Sequence, residues 1–439
     1  MPKLHFLTAT CLAGLTAFAS TTACAQTRID HDERANAVLS LAQIVEDEYF
    51  DAERAGSLAA EMRTALEAGE FDSIRDAETL AQQLTARLHE ADRHFSVRYV
   101  GERPERVAPE TSTQPTPADP WASLRRQNFG FVETSILPGN LGYIRLDQFA
   151  PIEPARDTAT AVLDFVSNAD AVIFDLRQNG GGAPSMVQFL ISHFLSAQDP
   201  VIINTFVSRD YEYPNQMWSL PSHPSGFRPN VPVYVLVSGR TGSAGEAFPY
   251  HLQAMERATI IGETTYGAGN PGEVFRAAGG FGIFVSTGSA RNPITMSNWE
   301  GTGVTPDIEI PAEDALVEAR ILAYETLRET SDDPLIRENL EWAASQLRAL
   351  QNPQVLGDDE LAQYVGQFGI RSFSAENGQL IYTRQGRPPE ALLALGDHRF
   401  AFRDTTEFML EFHVDGSGAA DAVEMQVSDG RRILMPRGE

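Results

Sequence analysis

Between Phe129 and Gly262 short apolar runs alternate with helical ones, and this alternation restricts the possible folds more than any other feature of the chain. Ala171-Val172-Ile173-Phe174-Asp175 and Val233-Tyr234-Val235-Leu236-Val237 read as buried strands, with further strands expected at 201–207 and 258–262. Helical spacing covers 154–168, 184–197 and 243–256. Strands and helices in alternation are the mark of an α/β core. A hairpin leads into it, because Gly130-Phe131-Val132-Glu133 and Gly142-Tyr143-Ile144-Arg145-Leu146 flank the turn Leu137-Pro138-Gly139-Asn140.

Different textures bracket this core. Residues 32–90 carry an apolar helical face through Val38, Leu41, Ala42 and Val45, broken at Asp92-Arg93-His94 before a strand-like run at 95–100. A linker rich in Pro, Thr and Glu follows. Helices at 312–329 and 334–350 close the core. Short alternating runs and turns such as Asp429-Gly430 then predict a small antiparallel β domain. The expected division is a signal peptide at 1–25, an N-terminal helical domain at 26–103, a linker at 104–126, the α/β core at 127–312, a helical extension at 313–355 and the β domain at 356–439.

Composition removes several function classes. A net charge of −26 over 439 residues argues against nucleic acid and anionic membrane surfaces as partners. Lys3 precedes an apolar run, Leu12 to Ala19, too short to span a bilayer, and Ala23-Cys24-Ala25 supplies a cleavage site. The protein is therefore expected to be exported, periplasmic or secreted. A lipoprotein signal acylated at Cys24 is the rival reading, with Thr21 where a Leu is expected; only that reading attaches the chain to a membrane. Cys11 and Cys24 are the only cysteines and both fall in the signal, so the mature chain has no disulfide, thiol nucleophile or thiolate metal site. Lys3 is the only lysine. No Ser–Lys dyad and no Schiff base can operate here. No metal cluster stands out, no cofactor is implied, and the oligomeric state is left open.

Two loops carry candidate chemistry. Asp175-Leu176-Arg177-Gln178-Asn179-Gly180-Gly181-Gly182 is not a phosphate loop, since no Gly-Lys-Ser/Thr follows. It is either a tight strand-to-helix turn or half of an oxyanion hole. In Ser238-Gly239-Arg240-Thr241-Gly242-Ser243-Ala244-Gly245, Ser243 stands where a helix should begin. A helix cap is the bland reading and a nucleophile the sharp one. Thr241 departs from the G-x-S-x-G elbow, yet Gly242 and Gly245 leave a substrate carbonyl room to approach.

These two loops, with Gly262-Glu263-Thr264-Thr265-Tyr266-Gly267 and Gly301-Thr302-Gly303-Val304-Thr305-Pro306-Asp307 following in order, resemble the C-terminal processing (tail-specific) peptidase superfamily. That superfamily includes the tricorn core protease and the interphotoreceptor retinoid-binding protein. The resemblance covers about residues 32 to 312 and implies a crotonase/Clp-protease-like core with Ser243 as nucleophile. Ala268 stands where the processing branch carries its general-base Lys. The tricorn-like branch uses His and Glu instead, which here are His94 in Asp92-Arg93-His94 and Glu300. A neutral imidazole as base, held by a carboxylate, is also what a weak Ser nucleophile needs. His89 and His193 fit helices, and His251 lies two turns beyond Ser243, roughly 12 Å along the axis. Structural roles are the bland alternatives for His94 and Glu300. Gly181 and Ala244 are the expected oxyanion-hole donors, with Gly180 the alternative.

The resulting expectation is a serine endopeptidase acting on peptides or unfolded polypeptide through Ser243, His94 and Glu300. The opposing reading is a non-catalytic retinoid or fatty-acid-type lipid binder on the same core. An envelope interaction protein acting through the β domain is a third reading, which explains none of the motifs. No PDZ-like segment separates the helical region from the core, which puts strict C-terminal tail specificity in doubt.

Overall fold

The computed structural model describes residues 27–101, 119–209, 212–414, 416 and 418–438. The expected signal, with Lys3, Cys11 and Cys24, and most of the expected linker lie outside the described residues.

Helices α1 (His31–Glu48), α2 (Ala52–Glu67) and α3 (Ala77–His89) open the fold, each begun by an aspartate. Asp30, Asp51 and Asp76 accept from the N–H groups of Glu33, Arg54 and Thr79, satisfying donors that a helix start leaves free. The run expected at 95–100 forms β1 (Ser96–Tyr99). After α4 (Ala122–Arg126) come the hairpin β2 (Phe131–Leu137) and β3 (Leu141–Leu146), then α5 (Ile152–Phe165), β4 (Ala171–Asp175) and α6 (Pro184–His193). Next are β5 (Ile202–Val207), β6 (Asn215–Trp218), β7 (Val233–Val237), α7 (Ala244–Ala254) and β8 (Thr259–Gly262). β9 (Gly272–Arg276), β10 (Phe281–Ser286), β11 (Ser289–Arg291), β12 (Ile308–Glu309), α8 (Ala315–Thr330) and α9 (Pro334–Gln351) complete the core.

The central sheet has the order β12-β8-β7-β4-β3-β2, with β2 antiparallel to β3 and the other pairs parallel. Its apolar strands serve two cores at once. Val172 and Phe174 of β4 and Val233, Val235 and Val237 of β7 pack with α5, α6 and α7, while Ile173, Tyr234 and Leu236 pack under α8 and α9. A parallel sheet covered on both faces requires such unbroken apolar runs. The α/β class expected from the sequence is therefore the architecture observed, with a helical N-terminal region and C-terminal antiparallel sheets.

Two small sheets flank the central one. β6 and β11 sandwich β5, and β1-β10-β9 forms the other. The sequence reading placed no strands at 215–218 or between 272 and 291. The pairing of β1 with β10, Ser96 opposite Phe284 and Tyr99 opposite Phe281, joins the N-terminal helices to the core. Phe281, Ile283 and Val285 are buried in the same cluster as Val38, Leu41 and Leu84. Beyond α9, strands between Gly366 and Pro436 form antiparallel sheets of four and five strands. Gln346 of α9 anchors them by donating to the carbonyls of Phe402 (2.6 Å) and Thr405 (2.9 Å). Among the described residues no helix is long and apolar enough to cross a membrane.

Candidate active site

β4 and β7 are parallel neighbours with Asp175 opposite Leu236, so the loops that follow them meet at the carboxyl end of the sheet. Hydrogen bonds lock the two loops together. Gly242 N–H donates to Asn179 O (3.0 Å), Thr241 Oγ1 to Leu176 O (2.9 Å) and Ser238 Oγ to Arg177 O (2.7 Å). Asn179 is fully buried, donating Nδ2–H to Leu146 O (2.7 Å). The aspartate and arginine of this loop brace it: Asp175 accepts from Arg177 (2.6 Å) and Tyr143 Oη (2.7 Å), and Arg177 Nη1 donates to Ala312 O (2.7 Å).

Ser243 occupies the N-cap position of α7 but does not cap it. Its hydroxyl makes no cap hydrogen bond, and its backbone sits at φ 53°, ψ −122°. L-residues avoid that region, and holding one there costs about 1–3 kcal/mol. The capping is done in reverse by Glu246, whose carboxylate accepts from Ser243 N–H (2.7 Å). Glu246 is fully buried and also accepts from Thr265 Oγ1 (2.5 Å), Gly267 N–H (2.6 Å) and Ala268 N–H (2.9 Å). Burial pushes its pKa up to about 7 against these four donors. Sequence reasoning passed over Glu246, although Ser243 and Glu246 have capping-box spacing.

A cavity of about 380 Å³ opens beside Ser243, lined also by Ala244, Gly180, Gly182 and His94. Ala244, the first residue of α7, lines the cavity beside Ser243. Gly181, the other expected oxyanion donor, is differently employed: its N–H donates to Asn179 Oδ1 (2.8 Å). Its lack of a side chain matters instead, because a Cβ there would stand 2.7 Å from Ser243 Cβ. Gly180 and Gly182 line the cavity on either side of it.

His94 lies just before β1, with its ring 5.4 Å from that of Phe284. One donor atom from each of Asp92, His94 and Glu300 falls within 4.8 Å of the other two. Glu300 Oε1 accepts from Arg93 N–H (2.9 Å), and Oε2 accepts from Gly269 N–H (2.6 Å) and Asn270 N–H (3.2 Å). Asp92 accepts from His94 N–H (2.8 Å) and Asn270 Nδ2–H (3.0 Å). His94 Nδ1 is buried without a partner among the described residues. Burial lowers the His94 pKa from its ordinary value, outweighing the opposing pull of Asp92. Glu300 is raised by burial and then by Asp92. The expected residues are thus brought together, Ser243 with His94 around one cavity and His94 with Glu300 in one cluster. Asp92 joins them; the Asp-x-His spacing was its only signal. These three side chains are also the His–carboxylate group among the described residues compact enough to share a cation.

His251, set aside on distance, lines the same cavity. The cavity therefore extends along α7 as far as His251.

Residues 140–310 match Peptidase family S41, and residues 23–129 match the N-terminal domain of Peptidase S41 in eukaryotic IRBP. The chain is 31% identical over 183 residues to the chloroplastic carboxyl-terminal-processing peptidase 1 of Arabidopsis thaliana, covering 41% of this chain and 35% of that protein. It is 27% identical over 177 residues to a carboxy-terminal-processing protease of Bartonella bacilliformis, covering 39% of each. The chain therefore spans well under half the length of these relatives. Among solved structures the tricorn protease aligns at 12% identity and a TM-score of 0.40, over 72% of this chain and 37% of that one. On the two matched segments and the processing-protease relatives, the chain belongs to the C-terminal processing (tail-specific) peptidase superfamily.

Proposed function

We propose that the protein is an exported serine endopeptidase that cleaves peptides or unfolded polypeptide, with Ser243 as nucleophile, His94 as general base and Glu300 as the carboxylate that orients it. The observation that carries this reading is Ser243 itself, held in a strained backbone at the start of α7, with no capping bond and beside a cavity shared with His94. Ser243 Oγ attacks the scissile carbonyl as His94 takes its proton; the carbonyl electron pair moves onto oxygen. Ala244 N–H at the α7 N-terminus and an N–H from Gly180 or Gly182 hold that oxyanion. Collapse expels the amine, which takes the proton from His94. Water then repeats the sequence on the acyl-enzyme. The carboxylates of Glu300 and Asp92 stabilise the imidazolium formed in each half-reaction. His94 Nδ1 has no partner among the described residues, and catalytic hydrogen bonds often form only once substrate binds.

Labelling of the mature protein with a fluorophosphonate, followed by mass mapping, tests this directly. Label is expected on Ser243, and Ser243→Ala should lose both label and peptide hydrolysis with an unchanged melting curve. Undiminished turnover in that variant overturns the reading. His94→Ala should lose as much as Ser243→Ala and Glu300→Gln less, because triad members act as a unit. Because His94 must be neutral to act, activity should fall as pH drops through a value below its ordinary 6.5. The apolar cavity walls also suit the lipid-binder reading. An unlabelled parent that binds a fluorescent fatty acid would favour it.

A further inference from the structure

The cavity beside Ser243 is not uniform. Ala244, Ala247 and His251 line it from positions three and four residues apart on α7, so it follows one face of that helix. The two alanines leave space. His251 stands about 10 Å further along the axis than Ala244. Val187, Phe206, Met217 and Trp299 supply apolar walls, and among the described residues no Asp, Glu or Arg lines the cavity.

Among the described residues, its polar side chains without a catalytic role proposed above are His251 and Asn204. Asn292 Oδ1 accepts from Ile294 N–H (2.8 Å) and Thr295 N–H (3.0 Å), which fixes the orientation of that amide. Its Nδ2–H therefore donates to His251 Nδ1 at 2.8 Å. A ring accepting at Nδ1 carries its proton on Nε2 when neutral. His251 is fully buried, and burial drives its pKa down to about 3, favouring the neutral ring. Nε2 has no partner among the described residues. Asn204 is 2% exposed; its Oδ1 accepts from Thr205 N–H (2.9 Å), which leaves its Nδ2–H groups as donors. The His251 Nε2–H, a buried donor without an acceptor among the described residues, is rare and unfavourable. A ligand that supplies the acceptor relieves it.

We propose that this cavity receives the side chain of the residue whose carbonyl Ser243 attacks, and that His251 and Asn204 select a long, uncharged side chain tipped with an oxygen acceptor. This rests on the serine-peptidase reading above. Tyrosine joins a flat apolar body to a terminal oxygen and is the best match; glutamine offers an acceptor on a shorter stem. Lysine and arginine would lose their water with no carboxylate to replace it, and aspartate and glutamate would find no cation.

The test uses the full mature protein and peptides that differ only in the residue before the scissile bond: Tyr, Phe, Gln, Leu, Lys and Glu. kcat/KM should favour Tyr over Phe and Gln over Leu on the order of tenfold, with Lys and Glu poorest. His251→Phe keeps the ring and removes the N–H, so its Tyr-to-Phe ratio should fall toward one. Asn204→Leu, a second variant should His251→Phe not fold, should lower the same ratio. Fluorophosphonate labelling of Ser243 runs alongside on every protein. A labelled parent that cleaves Tyr and Phe peptides equally overturns this inference alone, as does a ratio that survives in both variants. A parent with neither label nor cleavage overturns the peptidase reading and this inference with it.

Discussion

Glu246 shows how much one carboxylate can organise. It takes four donors from two loops, and one of them is the N–H of Ser243. Glu246→Gln would turn an amide N–H₂ against backbone donors, and should cost about 1–3 kcal/mol of stability, read from urea denaturation. The pH dependence of stability and of activity should run in opposite directions. The folded pKa, about 7, lies above the ordinary 4.5, so the protonated group favours the fold. That contribution is fully present below about 4.5 and is lost as pH rises through about 7. The four donors, in contrast, need the ionised form to hold the Ser243 loop, so activity should rise across that window. Melting temperatures and kcat from pH 4 to 8 check both slopes, and the Gln variant should flatten the first. Ser243 and His94 could be read from the sequence because family spacing and the absence of lysine converge on them. The engagement of Gly181 N–H by Asn179 could not, because it depends on which way a side-chain amide turns within a loop.

The element that matters most to the site outside the loops is β10. Its inward residues Phe281, Ile283 and Val285 pack with the N-terminal helices, and Phe284 lines the cavity. Ile283→Ala removes a fully buried side chain and should cost about 2–5 kcal/mol by urea denaturation. It should also reduce turnover, because β1 and with it His94 rest on this strand. The sequence announces the central strands plainly, since burial on both faces demands unbroken apolar runs. β6 and β9–β11 are quieter: Asn215-Gln216-Met217-Trp218 has no β-branched residue, and glycines interrupt 272–288. α5 begins at Ile152 rather than 154 because Pro154 is tolerated within a first turn.

Over the whole molecule, the candidate catalytic groups and the scaffolding separate along the chain. Every residue lining the cavity precedes Gly301, whereas α8 and α9 cover the face of the sheet formed by Tyr143, Ile173, Tyr234 and Leu236. A chain ending at residue 312 keeps every candidate catalytic group yet should be insoluble, because that face would meet water; the soluble fraction after expression measures it. The N-terminal region contributes His94, through a strand that closes only on β10. This has a consequence for timing. During synthesis His94 emerges first, Ser243 much later and Glu300 last, and the sheet that seats His94 cannot form until β10 exists. On the proposed triad a nascent or half-delivered chain is a blank, unable to cut itself or its neighbours, and becomes a protease only once its core has closed.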